Sequence, residues 1–343
     1  MSAQLKFGHA LPTRMFGKTG MQITRVGFGS WAVGGGDWAV GWGDQDDEAS
    51  ISAIRHAISL GVNWIDTAAV YGLGRSEMVV AKALHDIPKS ERPYVFTKCG
   101  LVWDAKNPRE MPKRVGKPDS IRAELEASLK RLNVEQIDLY QMHWPADDGT
   151  ILQDYWQTLL DLKAQGKVRA VGLSNHSMAQ LNVAEKIGHV DTLQPPFSAI
   201  RRESAIEELP WCKAHDTGVI VYSPMQSGLL TGNFSKKHVA DLPSNDWRAR
   251  NAEFTSKLDA NLGVADAMGL VAKKHGVSTA AVAVAWTLAW PGVTAAIVGA
   301  RSPAQVDGWI AAASLVLTTQ DMRDIGGVIT RTGAGSGPDL PPS

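Results

Sequence analysis

The sequence predicts a (β/α)8 TIM barrel with an N-terminal β-hairpin and long βα loops, and three observations carry that expectation. Eight short apolar or β-branched runs alternate with amphipathic segments, the pattern of a parallel sheet with helical crossovers. The 343 residues show no compositional break, and α/β barrels of this length fold as one domain. Ionisable side chains collect where the runs stop, which is where barrels build their active sites.

Taken in chain order, MFGKTGMQITRVGFG (Met15 to Gly29) reads as a small hairpin turning around Lys18 to Gly20, suited to plugging the barrel's bottom. Strand-like runs lie near Val26, Trp64, Val95, Leu139, Val171, Leu193, Ile220 and Ile297. Helical patterns separate them, among them Asp47 to Leu60, Ser120 to Leu132, Ile151 to Ala164 and Ala205 to His215. Three connections are too long for simple joints and suit the walls or lid of a site: Gly34 to Gly43, Gly100 to Lys117 and Pro224 to Asn261. Ser278 to Ala300 carries no charge and imitates a membrane span, but Pro291 and Gly292 split it into a helix, Ser278 to Ala289, and a strand, Ala295 to Val298. A single domain is expected over residues 1–332. The remainder, 333–343, is built from chain breakers and is expected to be a flexible or loosely docked tail.

Composition narrows the function. Hydrophobic residues make up 44% and charged residues 20%, enough to bury a large core. The formal net charge of zero offers no field to attract nucleic acid or an anionic membrane. The two cysteines, Cys99 and Cys212, lack metal or disulfide spacing, so a reducing compartment and no metal are expected. The N-terminus has no long apolar core of a signal peptide, which points to the cytoplasm. Oligomeric state is not legible.

Four ionisable side chains sit at or just beyond strand ends: Asp66 and Tyr71 in NWIDTAAVYG, Lys98 in YVFTKCG and His143 in IDLYQMHWP. Any one alone is explained by a cap, a pocket wall, a surface pair or a core histidine. Together on one rim they suit a proton donor with its tuning groups, as a reaction that leaves charge on an oxygen requires. Tyr71 is the donor candidate, with Lys98 as the cation that makes its phenol a better acid, Asp66 as the partner of Lys98, and His143 as the group that orients the substrate oxygen. Gly27-Phe28-Gly29-Ser30-Trp31-Ala32 matches a dinucleotide fingerprint, yet glycines and tryptophans follow where that motif requires a helix, so a Rossmann site is rejected. A metal-dependent hydrolase would need clustered ligands, and only Asp66 and His143 are available.

With these residues in place the chain resembles the aldo-keto reductases, from about Arg14 to about Ile325. The motifs are GFGSWA, NWIDTAAVYG, FTKCG, DLYQMHWP, VGLSNHS, QPPFS, VYSPMQSGLLTG and IVGAR. The likeness is to the bacterial branch near sugar dehydrogenases and potassium-channel β subunits. The resemblance implies the same roles for the four residues and a nicotinamide cofactor. It places that cofactor against Gly29, Ser30 and Trp31, against Ser174, Asn175 and Gln194 at the carboxamide, and against the ring of Tyr222. Ser223, Met225, Ser227, Gly228 and Leu229 would follow the pyrophosphate, and Gly299, Arg301 and Gln305 the adenosine phosphate. An arginine fork at Arg301 would clamp a 2′-phosphate, so NADPH is expected, with NADH as the alternative. Gly308 and Trp309 stand where the family pattern has glutamate and asparagine.

The substrate is expected to be a small carbonyl compound or a sugar, enclosed by Trp31, Trp103 and Trp144, with Trp38 and Trp42 in the neighbouring loop. Arg75 is the one further cation placed to reach the mouth. Two other readings share the chemistry: an NAD(P)-dependent aldose 1-dehydrogenase working oxidatively, and a slow redox-sensing regulatory subunit.

Overall fold

The computed structural model describes residues 10–242 and 246–342. The extreme N-terminus, residues 1–9, read above for targeting, lies outside them.

Twelve strands occur among the described residues. In chain order they are β1 (Thr13–Met15), β2 (Gln22–Thr24), β3 (Val26–Gly29), β4 (Trp64–Asp66), β5 (Tyr94–Cys99), β6 (Leu101–Val102), β7 (Lys113–Arg114), β8 (Ile137–Met142), β9 (Val168–Ser174), β10 (Thr192–Gln194), β11 (Gly218–Val221) and β12 (Ala295–Gly299). The helices are α1 (Asp47–Ser59), α2 (Arg75–Leu84), α3 (Pro118–Leu132), α4 (Leu152–Ala164), α5 (Met178–Glu185), α6 (Glu208–His215), α7 (Lys236–Ala240), α8 (Leu258–His275), α9 (Thr279–Leu288), α10 (Pro303–Asp307) and α11 (Thr319–Thr332).

The expected barrel is present. Strands β3, β4, β5, β8, β9, β10, β11 and β12 close on themselves in sequential order, with β12 pairing β3, and every barrel pairing is parallel. The interior is packed solid below the rim. Trp64, Phe96, Leu139, Ala170, Ile220, Ala295 and Ile297 fill it, and Phe16, Met21 and Ile23 from the β1–β2 hairpin complete its lower layer. Gly27 is required there, because a Cβ at that position would fall 2.1 Å from the Trp64 indole. A second apolar layer lies between the strands and the surrounding helices and holds Trp156 and Trp286. No helix among the described residues is long and apolar enough to cross a membrane; the uncharged stretch after Ser278 divides into α9 and β12, with Ser278 capping α9.

One expectation is corrected. The connection read as a loop from Pro224 to Asn261 holds α7 and the start of α8, because Ser235 accepts the His238 N–H and nucleates a turn of helix. The tail beyond Gly333, expected to be flexible or loosely docked, takes the docked form. Arg202, 2% exposed, donates through Nη1 to the Ala334 carbonyl at 3.1 Å, through Nη2 to Gly337 at 3.2 Å and through Nε to Pro338 at 2.9 Å. It also pairs with Asp339 at 3.0 Å. Chain breakers forbid a helix, but they leave a string of free carbonyls, which is what a buried guanidinium with five N–H donors requires.

Candidate active site

Strand ends deliver the predicted residues to one place. Asp66 closes β4 and Lys98 lies near the end of β5, both side chains pointing into the barrel mouth; Tyr71 follows in the loop after β4, and His143 comes one residue past β8. The Lys98 ammonium, 1% exposed, donates to Asp66 Oδ1 at 2.6 Å, to the Thr67 carbonyl at 2.9 Å and to the Tyr71 hydroxyl at 3.5 Å. All three ammonium protons are therefore used. His143 meets Tyr71 edge-on, with ring centroids 5.7 Å apart.

Burial dominates the electrostatics. It pushes the Asp66 carboxyl up, while Lys98, Gln194 and Gln141 draw it back; it pushes the Lys98 ammonium down, while Asp66 and the buried Glu77 draw it back. His143 is driven well below the ordinary histidine value by burial and then by the charge of Lys98, so its imidazole is neutral. The phenol of Tyr71 departs from expectation. Burial, and after it the negative charge of Asp66, push it well above its ordinary value. The ammonium was expected to make it more acidic, but Asp66, in contact with that ammonium, offsets its charge. The hydroxyl consequently holds its proton.

Aromatic rings wall the hydroxyl. Trp31 stacks on Tyr71 at 6.4 Å and 28°, Trp38 lies at 6.3 Å, and Trp103 packs in the same cluster. Trp42 meets Trp31 edge-on at 5.2 Å. Indole N–H bonds from Trp31 to the Val40 carbonyl and from Trp38 to the Gly35 carbonyl fix both rings. The loop bearing them touches the Tyr71 loop backbone to backbone: a Cβ on Gly34 would lie 2.6 Å from the Gly72 nitrogen, and one on Gly72 would lie 2.2 Å from the Gly34 oxygen. Trp144, next to His143, carries Arg114 over its ring at 4.7 Å.

The residues expected to hold a dinucleotide sit around the adjoining part of the rim. The Tyr222 hydroxyl donates to Asn175 Oδ1 at 2.7 Å, and Asn175 Nδ2 donates to the His143 carbonyl at 3.0 Å. Burial pushes the Tyr222 phenol up to about 12, keeping that donor intact. Ser174 donates to the Gln194 carbonyl at 2.8 Å. The Gln194 amide donates to Asp66 Oδ2 at 2.9 Å, which leaves its side-chain oxygen as the acceptor. Asn175 Oδ1 also retains a lone pair, so acceptors for a carboxamide N–H₂ remain on both. Ser30 donates to the Asp66 carbonyl at 2.9 Å, and Gly29 pairs with Asp66 in the sheet.

Beyond Tyr222 the backbone is strained. Ser223, Gln226 and Ser227 take positive φ of 58°, 45° and 51°, with Gly228 at 92°, and the turn ends in buried Leu229 beside Met225. Left-handed non-glycine residues cost about 1 to 3 kcal/mol each and gather at ligand clamps. The acceptors on Asn175 and Gln194 and the flat ring of Tyr222 fit a nicotinamide, whereas in the turn the Gln226, Gly228 and Leu229 N–H groups are bonded internally, to the Ser223, Met225 and Gln226 carbonyls.

The expected free fork is not found at the last strand. Arg301 Nε donates to Gln45 Oε1 at 2.5 Å, Nη1 reaches the Trp42 carbonyl at 3.5 Å, and Nη2 bonds the Asp44 carbonyl. Gln305 accepts the Arg301 backbone N–H at 2.7 Å, Gly299 ends β12, and Trp309 is buried in the outer core. Arg75 is likewise committed, to Asp47 at 2.8 Å. Glu77 was missed by sequence reasoning: fully buried, it accepts from Thr97 at 2.7 Å and from Arg131 at 2.6 Å. The only hint was an acid in the first turn of a helix, where a solvated dipole partner is the ordinary case.

Comparison with known proteins gives one consistent answer. The family model described as "Aldo/keto reductase family" matches residues 25–329. The chain is 34% identical to "Aldo-keto reductase YhdN" of Bacillus subtilis (strain 168), covering 92% of each chain. It is 33% identical to the "NADH-specific methylglyoxal reductase" of Escherichia coli (strain K12), covering 92% of this chain and 98% of that one. Among solved structures, the glycerol dehydrogenase AKR11B4 from Gluconobacter oxydans superposes with a TM-score of 0.86 at 34% identity, covering 95% of this chain and 97% of the other.

Proposed function

The chain belongs to the aldo-keto reductase family, and on that footing we propose that it transfers a hydride reversibly between a nicotinamide dinucleotide and the carbonyl carbon of a small aldehyde, ketone or sugar, with Tyr71 as proton donor. The observation that carries this reading is the Tyr71 hydroxyl 3.5 Å from an ammonium that is itself 2.6 Å from a carboxylate, beside a neutral imidazole.

A bound dihydronicotinamide supplies the hydride. The chain's own residues do the rest. His143, neutral, directs the carbonyl oxygen by a hydrogen bond without giving up a proton of its own. As charge gathers on that oxygen, Tyr71 passes its proton to it, and the phenolate left behind faces Lys98. Asp66 keeps the ammonium charged and fixed. In the oxidative direction the same groups run in reverse, with the Tyr71 oxygen taking the alcohol proton.

The wall of Trp31, Trp38 and Trp103 suits a small substrate whose carbon face meets rings and whose oxygen meets Tyr71 and His143. Two relatives named for methylglyoxal and glycerol point to short oxygenated carbon chains. Rates with NADH and NADPH, in both directions, over a panel of aldehydes, ketones, aldoses and short polyols test the proposal. Reduction of a short carbonyl should lead. Tyr71→Phe should lower it by about 10²- to 10⁴-fold, the span of a general acid, while leaving dinucleotide binding unchanged. A variant that still turns over at the wild-type rate removes Tyr71 from the mechanism.

A further inference from the structure

The geometry points to Gln45 as the residue that sets cofactor preference, turning the chain toward NADH by occupying the guanidinium that would otherwise receive a 2′-phosphate. This rests on the nucleotide reading above, and on the general placement of phosphate sites in the loops after the last two strands of such barrels. Arg301 lies in the loop following β12, the last of them.

Arginine grips a phosphate through one edge, with two parallel N–H groups. On Arg301 the Nε/Nη2 edge is filled: Nε donates to Gln45 Oε1 at 2.5 Å and Nη2 to the Asp44 carbonyl. The Nη1 side leans on the Trp42 carbonyl at 3.5 Å. Gln45 is not a casual neighbour. Its amide returns a bond to the Arg301 carbonyl at 3.3 Å and another to Ser50 at 2.9 Å, while its own carbonyl accepts from Arg75 Nη2 at 2.6 Å. Arg75 is anchored in turn on Asp47. The side chain is thus held on both sides, and the loop presents it to Arg301 ready-made.

Charge acts in the same sense. Asp44, Asp46 and Glu48 add three exposed carboxylates to this stretch, the sign that repels a phosphate dianion but tolerates or accepts from a ribose hydroxyl. An arginine that from the sequence suggests NADPH is therefore, in place, a strut for the neighbouring loop.

Titration of the full chain with NADH and with NADPH, followed by quenching of its tryptophan fluorescence, tests this without turnover. Wild type should bind NADH more tightly than NADPH. Gln45→Ala should tighten NADPH relative to NADH by about tenfold, the scale of one hydrogen bond to a charged group, and adding Arg301→Ala should abolish the gain. Gln45→Glu, which grips the guanidinium harder and adds charge, should move the ratio the other way. Equal binding of both cofactors by wild type, or a ratio unmoved in Gln45→Ala and Gln45→Glu, overturns the assignment while leaving the oxidoreductase reading intact. Failure of wild type to bind either dinucleotide overturns both.

Discussion

Replacing Lys98 by methionine keeps the volume of the side chain and removes its charge. At 3.5 Å from the Tyr71 oxygen and an effective dielectric near 20, a full charge would interact with a phenolate by about 5 kcal/mol. Asp66 in contact with the same ammonium offsets part of this. About 2 to 3 kcal/mol remains, the range of one hydrogen bond to a charged group, which corresponds to a rate loss of about 30- to 150-fold. The sign is fixed by the phenol's surroundings: burial and Asp66 already push it up, so without Lys98 it climbs further and becomes a weaker acid. Folding should suffer as well, by about 3 kcal/mol, because the variant strands Asp66 at 3% exposure; protonation of that carboxyl limits the loss. The assay is kcat for carbonyl reduction, with dinucleotide affinity by fluorescence and stability by guanidinium unfolding on the same preparation. A folded Lys98→Met enzyme whose kcat lies within threefold of wild type would refute the reasoning.

Acid should destabilise the fold through His176. Its ring accepts from Tyr155 at 2.8 Å and donates to the Ser174 carbonyl at 2.8 Å, and burial brings its pKa from 6.5 to about 4. The unfolded chain binds that proton first, so the contribution is complete above pH 6.5 and is lost as pH falls through about 4. Roughly 3 kcal/mol is at stake, and unfolding curves of His176→Gln should be flatter across that window. At the other end of the chain, truncation after Gly333 strips Arg202 of its bonds to Ala334, Gly337, Pro338 and Asp339. It should cost about 3 kcal/mol in denaturant unfolding, because a buried cation is left unpaired. Arg202→Met in the truncated chain should recover part of that loss, and no recovery would mean the charge is not the cause.

The parts of this molecule that could be read from sequence are those written in local patterns. Strand runs alternate with helices, and Asp66, Lys98 and His143 sit where such runs end, so both the barrel and the convergence of these side chains follow from residues close in sequence. What escaped depends on partners far apart along the chain. Arg301 meets Gln45 across 256 positions, and Arg202 meets the tail across more than 130. Gln194 finds Asp66 across 128. No periodicity or turn signal reports such meetings. The tail's glycines and prolines report only that it is not helical, which says nothing about what its carbonyls will find. Glu77 was hidden for a related reason, since the same residue type at a helix start is usually solvated and only burial against Arg131 and Thr97 distinguishes it.

The meeting of Gly34 and Gly72 carries one further consequence. With no side chain between them, the indole-bearing segment has no slack with which to swing aside while the segment holding Tyr71 stays still. Enclosure and chemistry are hitched together, so a substrate too large for the space will meet resistance that is felt at Tyr71 itself. New substrates would then be admitted by trimming Trp31 or Trp38 in place, whereas lengthening or loosening either segment would sacrifice the reaction along with the fit.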